Sequence, residues 1–178
     1  MAFDRMSQPA FPPIETCRIA VIGLGYVGLP LAVRLAEIFD TTGLDVDANR
    51  IAELRQHHDR TGEIDPDRLA DTTLRLCDRA EDCAPADVYI VTVPTPVDVD
   101  NQPDLTIVRR ATEMVAAMLD GNRKPIIVYE STVYPGVTED VCGPILEQLS
   151  GLTRGRGGAG DQLCEAACAG QGRAFAIA

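Results

Sequence analysis

Six residues, Gly23-Leu24-Gly25-Tyr26-Val27-Gly28, constrain this chain more than any other stretch. They follow the run Arg18-Ile19-Ala20-Val21-Ile22 and open a helical pattern from Leu29 to Glu37. Strand, glycine turn and helix in that order are the context in which G-x-G-x-x-G marks a dinucleotide site. Each glycine has its own task. Gly23 permits the tight turn out of the strand, Gly25 lets the backbone approach a pyrophosphate, and Gly28 lets the helix pack close to the strand. The helix start adds free N–H groups and about half a positive charge, which suits a diphosphate. Taken alone, the hexapeptide is also compatible with an unliganded turn.

An acid at the next strand end strengthens the dinucleotide reading. Thr41-Thr42-Gly43-Leu44-Asp45-Val46-Asp47 reads as a second strand, and Asp45 lies 17 residues after Gly28. A carboxylate near this spacing accepts hydrogen bonds from the adenosine ribose, and it repels a 2′-phosphate, so NAD is favoured over NADP. Asp45 directly ends the strand; Asp47 is the competing candidate. Arg50 has two readings, a phosphate acceptor beside the ribose or a solvated charge on the helix 48–56.

Bulk composition narrows the class. The 178 residues provide room for one domain. Aromatic residues are 4% and Trp is absent, so the core rests on Val, Ile, Leu and Ala, as in a parallel sheet buried on both faces. The net charge of −11 argues against nucleic acid or an anionic membrane as partner. Residues 1–16, with three prolines and no apolar core, read as a flexible arm rather than an export signal. The longest apolar run, Ile19 to Val33, is shorter than the ~20 residues of a spanning helix. These features predict a cytoplasmic protein. The six cysteines, at 17, 77, 83, 142, 164 and 168, form no C-x-x-C pair and are expected to be reduced thiols without a metal. His57 and His58 are expected to be solvated at a helix end.

The elements alternate. Strands are predicted at 17–22, 41–46, 74–77, 87–93 and 125–130, and helices at 26–39, 48–56, 65–70, 105–119 and 136–149. Asp104 is expected to cap the fourth of these helices. Such alternation implies an α/β doubly wound parallel sheet of the Rossmann type, with ligands beyond the carboxyl ends of the strands. Val93-Pro94-Thr95-Pro96 and Glu130-Ser131-Thr132 fall on that rim. Thr95, Ser131 and Thr132 either offer hydroxyls to a ligand or close turns.

Three segments together carry a more specific resemblance. Ile22-Gly23-Leu24-Gly25-Tyr26-Val27-Gly28-Leu29-Pro30, Val91-Thr92-Val93-Pro94-Thr95-Pro96 and Tyr129-Glu130-Ser131-Thr132-Val133-Tyr134-Pro135-Gly136 stand in order over residues 17–152, with Gln102-Pro103-Asp104-Leu105-Thr106 between the last two. The chain resembles the NAD-binding domain of the UDP-glucose/GDP-mannose dehydrogenase family. Within it, the likeness is to the UDP-N-acetylhexosamine 6-dehydrogenases of bacterial surface-polysaccharide synthesis. The resemblance implies oxidation of a sugar C6 alcohol to a carboxylate with two NAD⁺, through a cysteine thiohemiacetal and thioester. Carried over by position, Gly23, Gly25, Tyr26, Val27 and Gly28 hold the pyrophosphate. Asp45 holds the ribose with Arg50 beside it, and Thr95 and Thr132 line the nicotinamide side. Thr132 also orients the hydrolytic water. A UDP-sugar is the implied substrate, and full-length relatives are implied to be homo-oligomers.

Departures from the family are as informative. The Ser-Pro-Glu segment, the central Lys and Asn and the nucleophilic Cys of the family are not present in this sequence. Residues 153–178 change character: half are Gly or Ala, and three arginines stand against two acids. This tail reads as irregular, an out-of-frame continuation of a fold truncated before its sixth strand. That reading predicts an open apolar edge beside the fifth strand, and self-association. Two function classes remain: part of an oxidoreductase inactive by itself, of UDP-N-acetylhexosamine or UDP-glucose type, or a non-catalytic NAD-binding module.

Overall fold

The computed structural model describes residues 12–97, 103–131, 133–154 and 162–166. Its elements in chain order are β1 (Arg18–Ile22), α1 (Gly28–Ala36), β2 (Asp40–Leu44), α2 (Ala48–Arg55), α3 (Pro66–Asp71), β3 (Arg75–Cys77), β4 (Val88–Val91), α4 (Thr106–Met118), β5 (Ile126–Tyr129), α5 (Gly143–Ser150), β6 (Thr153–Arg154) and β7 (Gln162–Ala166). The described strands pair in parallel in the order β3-β2-β1-β4-β5-β7-β6. The first five give the order 3-2-1-4-5 of a doubly wound sheet, whose reversal falls between β1 and β4.

Period-2 geometry divides each strand between two cores. Ile19 and Val21 of β1 face α1, α2 and α3 through Leu29, Val33, Ile51, Leu54 and Leu69. Ala20 and Ile22 face the other way, onto Val108 and Val115 of α4 and Leu146 of α5. Two tyrosines fill this second core without leaving polar atoms unpaired. The Tyr89 hydroxyl accepts from Ala86 N (3.0 Å) and donates to Met118 O (2.9 Å), and Tyr129 OH lies 2.9 Å from Thr112 Oγ1.

Element limits shift for identifiable reasons. Helix α1 starts at Gly28 because residues 25–27 are spent on the turn. Helix α4 starts at Thr106, and Asp104 accepts from its N–H at 2.9 Å. The segment expected as one helix over 136–149 is a π-helical turn, Thr138–Cys142, followed by α5. Pro144, at the start of α5, has no N–H to donate to a carbonyl four residues back, and the wider turn precedes it.

The C-terminal side corrects two expectations. β6 and β7 are strands where an irregular tail was expected, and β7 lies beside β5, with Ile126 opposite Cys164 and Val128 opposite Ala166. The β5 edge is therefore paired rather than open. A parallel ladder is made by main-chain groups, so a short segment joins an edge without a hydrophobic period to announce it. The expectations for residues 1–11, 155–161 and 167–178, Cys168 included, lie outside the described residues.

Candidate cofactor-binding site

The glycine turn is closed inward and open outward. Gly23 sits at φ +94°, its N–H donates to Leu44 O (2.8 Å), and its carbonyl accepts from Thr92 Oγ1 (2.7 Å). A Cβ on Gly28 would lie 1.8 Å from Gly23 O and 2.4 Å from Thr92 Oγ1, so α1 begins against the turn itself. A Cβ on Gly25 would meet nothing within 4 Å. Tyr26 and Val27 are exposed beside it. The outward amides at the start of α1 thus face space that an anion can fill.

Beside the turn lies a groove of about 490 Å³, bounded by the ends of β1 and β2, the Val93-Pro94 segment and α4. Asp45 stands in its wall; its Oδ2 accepts from Leu24 N (2.8 Å) and its Oδ1 from Asp47 N (3.0 Å). A carboxylate offers about four lone-pair sites, so two remain for ribose hydroxyls. Asp47 is committed elsewhere. Its side chain accepts from Asn49 N and Arg50 N, capping α2, and pairs with Arg60. The Arg60 hydrogen bond and those caps hold its carboxyl below the usual range.

Val46, Ile107, Arg110 and Met114 also line the groove and were missed as site residues. The signal was present in α4. Val108, Val115 and Met118 are buried in the core, whereas Ile107 and Met114, at i and i+7, form a second stripe along the groove, with Ala111 between them belonging to both. Read as one apolar face, the two stripes merge.

Arg50 is not a solvated charge. It is 2% exposed. Its Nε donates to Leu24 O (3.0 Å), and its Nη2 lies 2.7 Å from Asp59 Oδ1. Asp59 in turn accepts from Thr61 N and Oγ1, Glu63 N and Ile64 N. Burial pushes the Asp59 carboxyl up, but hydrogen bonds from Thr61, Arg50 and Ile64 outweigh it and hold it well below the ordinary range. Nothing in the local pattern of the 57–64 loop pointed to this acid.

On the far side of the rim, hydroxyl side chains tie the strand ends together. Ser131 is buried and donates to Val93 O at 2.6 Å, closing a turn between the ends of β4 and β5. Thr92 ties β4 to the glycine turn, a role the sequence did not suggest. Thr95 is partly buried two residues beyond the groove-lining Val93, and Thr132 lies outside the described residues. Cys17, Cys77 and Cys142 are buried and Cys83 is half-buried, and none lines the groove. Burial, with the neighbouring Cys77 thiol, pushes the Cys83 thiol up to about 12.

The profile of the UDP-glucose/GDP-mannose dehydrogenase family, NAD binding domain, matches residues 17–157. The chain belongs to this family. Its match to the family runs a few residues beyond Leu152. Among curated relatives, Protein CapL of Staphylococcus aureus is 46% identical over 138 residues, covering 78% of this chain and 32% of its own length. The UDP-N-acetyl-D-glucosamine 6-dehydrogenase of Pseudomonas aeruginosa is 47% identical over 140 residues, covering 78% and 33%. Among solved structures, the UDP-D-ManNAc dehydrogenase of Pyrococcus horikoshii superposes with a TM-score of 0.72 at 36% identity, over 84% of this chain and 36% of that one. The chain thus spans about a third of the length of the curated relatives it matches. The cofactor of this family domain is NAD. The site fits it: the outward space at Gly25 suits a pyrophosphate, and the spare lone pairs of Asp45 suit a ribose.

Proposed function

We propose that this chain is the cofactor-binding part of an NAD-dependent UDP-N-acetylhexosamine 6-dehydrogenase of surface-polysaccharide synthesis, working in the cytoplasm on a UDP-sugar. Its identity to CapL and to the Pseudomonas enzyme supports the substrate class. The observation that carries the cofactor assignment is Asp45 in the wall of an otherwise mostly apolar groove beside the open side of Gly25.

In this reading the amides of Gly25, Tyr26, Val27 and Gly28 hold the pyrophosphate, with Gly23 shaping the turn. Asp45 holds the adenosine ribose, and Val46, Ile107 and Met114 pack on the adenine. Thr95 and Thr132 line the nicotinamide side. NAD, when bound, supplies the hydride acceptor. The chain's own part is to orient that group and to exclude a 2′-phosphate at Asp45. Hydride transfer also requires the sugar held against the nicotinamide, and Cys17, Cys77, Cys83 and Cys142 offer no thiol to the groove. By itself the chain binds NAD without turnover.

Calorimetric titrations with NAD⁺ and with UDP-N-acetylglucosamine, beside an assay of NADH formation, test this. Binding of NAD⁺ with negligible NADH formation is expected. Failure to bind NAD⁺ overturns the cofactor assignment, and turnover at the rate of a full-length relative overturns the claim of inactivity.

A further inference from the structure

The peptide that joins Leu24 to Gly25 is held from behind by a buried ion pair. Leu24 O accepts from Arg50 Nε at 3.0 Å, and Leu24 N donates to Asp45 Oδ2 at 2.8 Å. The Leu24 side chain is fully buried. Residue 24 is therefore fixed at its N–H, its carbonyl and its side chain, while the next residue faces open space. In a planar trans peptide the carbonyl and the following N–H point in opposite directions. Holding Leu24 O toward Arg50 thus turns the Gly25 N–H away from Arg50.

Arg50 is itself fixed by Asp59, with side chains 3% and 1% exposed. Asp59 gathers two backbone amides beyond Thr61 as well as the amide and hydroxyl of that residue. Buried ion pairs are poor sources of net stability, because desolvation offsets their attraction. This one has a geometric consequence instead. The pair spans from the 57–64 loop, through α2, to the peptide that presents the second glycine of the turn.

We infer that Arg50 and Asp59 are positioning residues for the cofactor diphosphate: Arg50, locked by Asp59, orients the Leu24–Gly25 peptide so that the Gly25 N–H is presented to the pyrophosphate. This rests on the proposed seating of the pyrophosphate at the turn. It assigns Arg50 a role through two of its nitrogens, Nε on Leu24 O and Nη2 on Asp59, while Nη1 is buried without a hydrogen-bond partner among the described residues.

The test compares ligands that contain the diphosphate with one that does not. Arg50→Lys retains the charge opposite Asp59 but loses the Nε donor. Affinities of the full chain for NAD⁺, ADP and adenosine are measured by titration, beside a thermal melt. The expected result, at a temperature well below the variant's own melting midpoint, is a tenfold or greater loss for NAD⁺ and ADP, with adenosine unchanged within about twofold; the midpoint itself falls, as it does when a buried ion pair is disturbed. Asp59→Asn, which removes the charge and keeps one of the two acceptor oxygens, should show the same pattern of affinities at three- to fivefold, and it decides the matter if Arg50→Lys does not fold. Equal losses for all three ligands, or unchanged ADP affinity in the folded variant, overturn the inference. Failure of the unaltered chain to bind ADP or NAD⁺ would instead sink the underlying cofactor assignment.

Discussion

The two ends of the cofactor rim are built from different chemistry. At the β2 end, Asp45, Asp47, Arg50, Asp59 and Arg60 form a connected set of charges, most of them fastened to backbone amides or to one another. At the β4–β5 end, the hydroxyls of Thr92 and Ser131 tie neutral carbonyls together. The charged end presents one carboxylate, Asp45, into the groove while its neighbours are neutralised in pairs. It can therefore discriminate a hydroxyl from a phosphate. The β4–β5 end contributes hydroxyls and shape. Recognition and geometry are thus allotted to separate strands of one sheet, and the glycine turn lies between them.

The sharpest test of that division sits at the junction. Gly28→Ala forces a Cβ onto backbone that both ends share and should cost about 3 kcal/mol, lowering the melting midpoint by roughly 10 °C. Gly25→Ala, with nothing near its Cβ, should leave the midpoint unchanged and weaken NAD⁺ binding. Paired melts and titrations check both.

Next in size is the contrast between the ends. Asp45→Ala should cost NAD⁺ binding about 2 kcal/mol, the scale of hydrogen bonds to a charged group, and Thr95→Val about 1 kcal/mol. Titration measures both, and equal losses would break the comparison.

Acid separates the ends as well. The Asp59 carboxyl is depressed in the folded chain, so its contribution is complete above the unfolded carboxylate range near pH ~4 and is lost as pH falls below it. Melting midpoints below pH ~4 should fall less steeply in Asp59→Asn than in the unaltered chain, whereas Ser131→Ala should leave the slope unchanged.

The smallest effect concerns the close of α2. His57 holds φ at 59°, with its N–H on Leu54 O and that of His58 on Glu53 O, the arrangement that favours glycine. His57→Gly should raise stability by about 1 kcal/mol, a few degrees in a melt.

The sequence by itself determined the parallel sheet, its cofactor turn and the family. Those signals are local: apolar strand runs, glycines at fixed offsets, and an acid at a strand end, each readable within a short window. Tertiary structure alone decided three further features. It buried Arg50, because Asp59 and Leu24 meet it only after the chain folds back. It split α4 into a core stripe and a groove stripe, because which face meets the sheet depends on β4 and β5. It set β7 against β5, because an edge is paired through main-chain groups that side-chain periodicity does not encode.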